Sequence, residues 1–382
     1  MRSTILIPLS GAGSRFPREV WHLPKPLLLI DDKSIIEWSM SCIDYSGCDI
    51  IFVVRQADVD EFSIDSYLKE KFGAKVIVIQ EPTRGAAETC LAAEKYINPD
   101  QPLIIHCSDV IWEPKFSAAD FSCQDDGCIL TFKSNSPNYS YSQINTEGFV
   151  IKVAEKKVIS NNASVGIYWF KRGKDFISAA KCAVRAYDGK EIHVCPIYQL
   201  LIDDGKKIST IEVDKMHVVG TPEEMDFFVK NSLRTFPHRK KSVVLASDHS
   251  GFAAKQIFKT LLDAKGVKYI DVGCFNDRPT DYSEYIKAAA KTILEEKADF
   301  GFGFCRSGQG VNIAANKIKG IRSAWVNNEW LASMAVKHNC ANFFAISEYL
   351  NDEKSLSEIL DAWLLNTFDG GRHQTRLMKN EN

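Results

Sequence analysis

The sequence predicts an α/β protein of two doubly wound domains, the N-terminal one with a mixed sheet and the C-terminal one with five parallel strands. Three observations predict it. Short apolar runs alternate with amphipathic stretches along the chain, as in β-α-β units. The alternation is broken once, by the basic stretch Arg234-Thr-Phe-Pro-His-Arg-Lys-Lys241, and then restarts. The 382 residues give room for two domains of about 100–200 residues each. The expected division is residues 1–235, a linker at 236–241, and residues 242–382.

Ser3–Leu9, Ile50–Val54, Lys75–Ile79 and Leu103–Cys107 are apolar runs of strand length. Ser34–Tyr45, Asp58–Phe72 and Ala86–Ile97 carry helical periodicity between them. From about Asp120 to Tyr168 the pattern changes to closely spaced strand-like pieces, among them Gly127–Lys133 and Val165–Phe170, separated by Asn, Ser and Gly. That change predicts a mixed sheet. After the basic stretch, Ser242–Ser247, Val267–Val272, Asp299–Phe304, Ile321–Val326 and Phe343–Ile346 are the five strands of the second domain. Ser355–Asn366 is its last helix.

Composition narrows the class. Hydrophobic residues are 45% of the chain, charged residues 25%, and the net charge is −2. So large an apolar share argues against disorder, and the near-neutral balance supplies no field for nucleic acid or an anionic membrane. The basic stretch reads as a solvated linker. The 11 cysteines are an odd number without C-x-x-C or zinc-ligand spacing. The N-terminal run lacks the features of a signal peptide, and no apolar run approaches the ~18 residues of a membrane helix. A reduced, soluble, cytoplasmic protein is expected.

In an open α/β sheet, ligands sit at the carboxyl ends of the strands, so the polar residues there are informative. In the second domain these are Asp248-His249-Ser250-Gly251 and Cys305-Arg306-Ser307-Gly308-Gln309-Gly310. Further on come Arg322, His338-Asn339 and Gly370-Gly-Arg372-His373-Gln-Thr-Arg376. Each has an ordinary structural explanation when taken alone; the set is harder to dismiss. A thiol at a helix N-terminus favours thiolate, a glycine-rich loop offers N–H groups to an oxyanion, and two arginines with two histidines suit a phosphate. These are the needs of an aldose–ketose isomerase of phosphosugars.

Lys241 to the C-terminus resembles the ribose-5-phosphate isomerase B / galactose-6-phosphate isomerase family. The matching stretches also include Thr280-Asp-Tyr282, Ile313-Ala-Ala-Asn-Lys317 and Gly320-Ile-Arg322. The resemblance implies Cys305 as the base moving a proton between C1 and C2 through an enediolate. Ser307 assists, and the amides of Ser307, Gly308, Gln309 and Gly310 form the anion hole. His338 with Asp248 opens the sugar ring. His249, Tyr282, Asn339, Arg372, His373 and Arg376 bind the sugar phosphate. The family builds its site across a dimer, which implies a homodimer or homotetramer, and needs no cofactor. Arg306 stands where the family commonly has Gly, so a narrowed pocket or altered substrate preference is expected.

In the first domain, strand one runs into Ser10-Gly11-Ala12-Gly13-Ser14-Arg15-Phe16, followed by Pro24-Lys25-Pro26-Leu27. A glycine-rich turn after a first strand brings amides against phosphates, and Arg and Lys neutralise them. This arrangement, with Gln80, Gly85-Ala-Ala87-Glu-Thr89, Cys107-Ser-Asp109, Glu155-Lys156 and Gly220-Thr-Pro222, resembles the sugar-phosphate nucleotidyltransferases. The resemblance implies a Rossmann-like domain in which a sugar phosphate attacks the α-phosphate of a nucleoside triphosphate. Arg15 and Lys25 stabilise phosphate charge, and Gly11, Ala12 and Gly13 contact the nucleotide. Gln80 and Gly85 read the base, Asp109 holds Mg²⁺, and Glu155 with Lys156 face the sugar phosphate. Many relatives carry a second metal-binding Asp two residues before the Gly-Thr-Pro glycine, and here Val218 stands there.

The sequence therefore predicts a bifunctional enzyme. The isomerase half acts on ribose 5-phosphate and ribulose 5-phosphate, and the transferase half feeds polysaccharide precursor synthesis. Its rivals are an isomerase with a regulatory nucleotide-binding domain, and a non-catalytic sugar-phosphate-binding protein.

Overall fold

The computed structural model describes the chain except residues 1, 12, 14, 18–20, 22, 32, 122–124, 187–188, 190, 234–241 and 382. The expected linker, 236–241, and Ala12 of the glycine-rich turn lie outside the described residues. The chain forms two compact units. One comprises Met1–Arg18, Leu23–Leu28 and Ser34–Phe228, the other Glu19–His22, Leu29–Lys33 and Val229–Asn382.

In the first unit the apolar runs become strands β1 (Thr4–Pro8), β2 (Asp49–Arg55), β3 (Lys75–Ile79) and β4 (Leu103–His106). All four residues of β4 are buried, as expected of a strand covered on both faces. Downstream follow β5 (Val110–Glu113), β6 (Gly127–Lys133), β7 (Ser140–Ile144), β8 (Val150–Glu155), β9 (Asn162–Phe170), β10 (Ile208–Glu212) and β11 (Lys215–Val218). Among the described residues nine of these strands form one sheet in the order β8-β7-β9-β4-β1-β2-β3, with β6 beside β9 and β10 beside β6. β1 pairs in parallel with β2 and β4, whereas β9 is antiparallel to β4 and β6. The sheet is mixed, as the sequence predicts.

Its helices are α1 (Ile35–Ser41), α2 (Gln56–Phe62), α3 (Ile64–Phe72), α4 (Ala86–Leu91), α5 (Gly173–Arg185), α6 (Ile197–Asp203) and α7 (Pro222–Asn231). Helix α1 opens with a reciprocal capping box between Ser34 and Glu37. It stops at Ser41, short of the expected Tyr45, because Ile43–Asp44 pairs with Phe116–Ser117 as a short parallel ladder. The expected helix Asp58–Phe72 is two helices, divided at Ser63, whose φ of 51° is left-handed. Strands β5 and β11 are a separate antiparallel pair that periodicity does not reveal. That pair sets Val219 beside Asp109, whose carbonyl accepts the Val219 N–H at 3.0 Å.

The second unit holds five parallel strands: β12 (Ser242–Ser247), β13 (Lys268–Asp271), β14 (Phe300–Cys305), β15 (Ser323–Trp325) and β16 (Phe343–Ser347). Their order is β13-β12-β14-β16-β15. Its helices are α8 (Phe252–Ala264), α9 (Tyr282–Leu294), α10 (Gln309–Asn316), α11 (Glu329–Asn339), α12 (Glu353–Leu365) and α13 (Arg372–Glu381). Helix α13 extends the chain past the helix that the sequence reading makes the last. Strand residues alternate between two cores: Val243 and Leu245 enter one, Val244 and Ala246 the other.

The strand Phe-Gly-Phe-Gly-Phe-Cys shows how packing places the thiol. Phe300, Phe302 and Phe304 fill one core, each contributing roughly 1.5–3 kcal/mol of burial. Gly301, Gly303 and Cys305 face the other way, by the two-residue period of a strand. A Cβ on Gly303 would lie 2.5 Å from Val311 and 2.8 Å from the Phe343 ring. Glycine therefore lets α10 approach the sheet, and Cys305 emerges at the base of that helix.

Candidate functional site

Cys305 ends β14 at the carboxyl edge of the sheet and is buried. Its Sγ accepts the Gly308 N–H at 3.1 Å. Gly308 turns the chain into α10 with φ +74°, and a Cβ there would stand 3.0 Å from the Ile346–Ser347 backbone. The loop is thus folded against the sulfur by a residue that only glycine suits. The Gln309 N–H points to Ser307 Oγ at 3.3 Å, and the Ser307 carbonyl accepts from Trp325 Nε1 at 2.9 Å. Of the expected anion-hole amides, Gly308 is engaged by the thiol and Gln309 by Ser307.

Asp248 joins this group. Its Oδ1 accepts from Ser250 Oγ at 2.7 Å and Gly251 N at 2.9 Å, while Ser250 Oγ accepts the Arg306 N–H at 3.1 Å. His249 Nδ1 lies 3.2 Å from the Thr280 N and 3.3 Å from the Thr280 carbonyl oxygen, which fixes the ring against this segment. The Tyr282 ring lies over Gly310, where a Cβ would come within 2.6 Å of it. The Arg306 side chain leaves the thiol: its guanidinium is 3.6 Å from Glu348 and 5.1 Å from the Tyr349 ring centre.

The remaining isomerase residues assemble elsewhere. The His338 and His373 rings stack with centroids 4.1 Å apart, Arg372 Nε lies 3.4 Å from His373 Nε2, and His338 Nε2 lies 3.9 Å from Asp369. Burial, then the charges of His338, Arg372 and Arg376, hold the His373 imidazole below its ordinary range. Asn339 is exposed beside them. Helix α11 begins at Asn328, just beyond the carboxyl end of β15, and runs back to the amino end of β16, where Arg322 Nε donates to the Cys340 carbonyl. Cys305 pairs in register with Ser347 at the other end of β16. The sequence reading groups His338 with Asp248 in a site built across a dimer. One chain holds them at opposite ends of its sheet, because a helix following a parallel strand must return antiparallel to it.

In the first unit, Lys25 Nζ donates to Asp109 Oδ2 at 2.8 Å. The charges of Lys25 and, less strongly, Arg15 hold the Asp109 carboxyl below its ordinary range against the effect of burial. Gly13, with φ +62°, lies against the Lys25 side chain, 3.7 Å from a would-be Cβ, and Gly11 lines the same pocket with Arg55 and Asp58. Arg15 is exposed. The thiol of Cys107 is pushed up to about 12 by burial and the Asp109 charge. Glu155 is hydrogen-bonded by Ser140 and lies 3.7 Å from His193 Nε2. Lys156 is exposed with φ +50°. Gln80 Nε2 donates to Gln56 Oε1 at 2.9 Å. Gly85 has an immediate packing task, for a Cβ there would be 2.6 Å from the Ile192 backbone.

Sequence reasoning missed Glu224. A Cβ on Gly220 would stand 3.1 Å from Asp109 Oδ2, 3.4 Å from Glu224 Oε2 and 3.6 Å from a Val218 methyl. Two carboxylates therefore border one open point. The pattern Thr221-Pro-Glu-Glu224 reads as a helix-capping signal and conceals this. Among the described residues no three His, Cys, Asp or Glu side chains converge to hold a metal. A carboxylate pair suits Mg²⁺, which typically takes one or two carboxylates and completes its shell with phosphate oxygens and water. Among the described residues no helix is long and apolar enough to cross a membrane.

The nucleotidyl transferase family matches residues 6–277, and the ribose/galactose isomerase family matches residues 243–379. The chain belongs to both: it joins a nucleotidyltransferase-like domain to a sugar-phosphate isomerase domain. It is 38% identical over 138 residues to a Rickettsia conorii protein provisionally named a sugar phosphate isomerase, covering 36% of this chain and 96% of that protein. It is 34% identical over 137 residues to ribose-5-phosphate isomerase B of Escherichia coli, covering 36% of this chain and 92% of that one. A Vibrio cholerae nucleoside-diphosphate-sugar pyrophosphorylase structure is similar with a TM-score of 0.53 and 24% identity, over 59% of this chain and 99% of that one. That last likeness is one of fold.

Proposed function

We propose that the C-terminal unit interconverts a phosphorylated aldose and ketose, with ribose 5-phosphate and ribulose 5-phosphate as its pair. The observation that carries this is the Cys305 thiol, held by the Gly308 N–H at 3.1 Å at the carboxyl edge of the sheet. As the base, Cys305 takes the proton from the carbon beside the carbonyl. The electron pair moves onto the carbonyl oxygen to give the enediolate, and the same group returns the proton to the neighbouring carbon. In this reading the Ser307–Gly310 loop takes the charge that develops on that oxygen. His249 binds the substrate from the Asp248–Gly251 turn, and Tyr282 closes the side over Gly310.

The His338, Arg372, His373 and Arg376 cluster reaches a Cys305 loop only when a second copy supplies it. We therefore read the working unit as a homodimer or a homotetramer. An isologous pair completes two identical sites.

For the N-terminal unit the reading is transfer of a nucleotidyl group to a sugar phosphate, serving polysaccharide precursor synthesis in the cytoplasm. Lys25 and Arg15 supply positive charge for the triphosphate, and Lys25 exchanges Asp109 for phosphate when nucleotide enters. Asp109 would hold Mg²⁺, which neutralises charge on the phosphate oxygens when bound. Glu155, positioned by Ser140 and His193, faces the acceptor sugar.

The test is to incubate the full chain with ribulose 5-phosphate and follow ribose 5-phosphate, then to add each nucleoside triphosphate with Mg²⁺ and follow pyrophosphate. Cys305→Ala is expected to slow isomerisation by about 10²–10⁴-fold while leaving pyrophosphate release unchanged. Full isomerase activity in C305A would remove the thiol from the mechanism.

A further inference from the structure

We propose that Glu224 is the second carboxylate of the divalent-cation site in the N-terminal unit, doing with Asp109 what an aspartate at position 218 would otherwise do. This rests on the reading of that unit as a metal-assisted transferase. Three side chains meet at one point beside Gly220: Asp109 Oδ2, Glu224 Oε2 and a Val218 methyl. Two of them are oxygen donors, and the third is a hydrocarbon.

Residue 220 has no side chain to part the two carboxylates: a Cβ there would sit 3.1 Å from one and 3.4 Å from the other. The backbone keeps the group together. Val219 N–H donates to the Asp109 carbonyl at 3.0 Å, and Val218 faces Val110 across the β5–β11 pair. Glu224 is on the first turn of α7, and its N–H donates to Thr221 Oγ1 at 3.2 Å. Its Oε2 accepts the Gly220 N–H at 3.1 Å, which aims the carboxylate back over the glycine toward Asp109.

A positive charge already belongs at this place. The Lys25 ammonium lies on Asp109 Oδ2 at 2.8 Å. When a triphosphate draws Lys25 away, the two carboxylates are left facing each other without that cation. Asp109 and Glu224 would then hold a divalent cation, which would neutralise charge on the phosphate oxygens. Val218 donates nothing, and among the described residues Glu224 is the second oxygen donor beside Gly220.

The capping role of Glu224 makes the test clean, because glutamine caps as well as glutamate but is a far poorer ligand. The full chain is titrated with Mn²⁺ in the presence of a nucleoside triphosphate, and free Mn²⁺ is read by electron paramagnetic resonance against a nucleotide-only blank. Wild type is expected to bind one Mn²⁺ per chain beyond that blank. Glu224→Gln is expected to weaken this binding at least tenfold with an unchanged melting temperature, and Asp109→Asn to abolish it. Val218→Asp added to E224Q is expected to restore it. Binding by E224Q equal to wild type, with loss in D109N, would overturn the role of Glu224 and leave the metal-assisted reading standing. No protein-dependent Mn²⁺ in wild type would overturn both, while leaving the isomerase reading of the C-terminal unit untouched.

Discussion

His106 occupies the last position of β4, three residues before Asp109, with its Nε2 on Ser39 Oγ at 2.9 Å and its ring beside Trp112. Burial pushes its imidazole down to about 3. An unfolded chain protonates this residue near 6.5, whereas the folded chain leaves it neutral. Between those values the unfolded state binds the extra proton, so stability falls as pH falls. Denaturant midpoints of the N-terminal unit measured from pH 7 to pH 4 are expected to show this, at about 1 kcal/mol per pH unit below 6.5. His106→Gln should flatten that part of the slope. An unchanged slope in H106Q would assign the acid sensitivity to other groups. Cys305 carries the complementary lesson: it is one thiol among many, and what separates it is its place at the carboxyl edge of the sheet, against the Gly308 N–H at 3.1 Å.

The turn between β14 and α10 acts as one element, since its geometry depends on Gly308 more than on any polar residue in it. Gly266 is the natural control. It too is left-handed, with φ +66°, but a Cβ there meets nothing within 4 Å. Gly266→Ala is expected to cost about 1–2 kcal/mol of stability with isomerase activity retained. Gly308→Ala adds a collision with the Ile346–Ser347 backbone, so the loop must shift and carry its N–H away from Cys305. Loss of catalysis on the order of 10²-fold is expected, the usual consequence of an ångström-scale misplacement. Thermal melting and isomerase rates on the two variants separate the effects. If G308A and G266A behave alike in the rate assay, the turn does not position the thiol.

For the molecule as a whole, the decisive feature is that each C-terminal unit places Cys305 and His338 at opposite ends of one sheet. In the proposed dimer, variants lacking different halves of the site must therefore complement. Mixed dimers of Cys305→Ala and His338→Ala chains, isolated by two tags, contain one intact site of two. They are expected to recover roughly half of wild-type isomerase activity, although each parent is inactive. Mixed dimers as inactive as their parents would show that the thiol and His338 do not act across an interface.

Much of this protein is legible without coordinates. Strands such as Lys75–Ile79, Gly127–Lys133 and Ser242–Ser247 coincide with their apolar runs, because burial on a sheet imposes an apolar run or a two-residue period that is written locally. The order of the glycine-rich motifs was enough to expect both catalytic families. Other features depend on residues far apart in the chain. The end of α1 at Ser41 comes from a ladder with Phe116–Ser117, and the β5–β11 pair joins segments about a hundred residues apart. Glu224 reads locally as a cap, and only folding shows Asp109 beside it. Arg306 looks from its position like an obstruction, and only the tertiary structure turns it to Glu348 and Tyr349. The sequence by itself determined the fold class, most of the sheet strands and the two families. Tertiary structure alone decided which charges meet and which halves of a site lie apart, because those depend on distance in space, which a linear pattern does not encode.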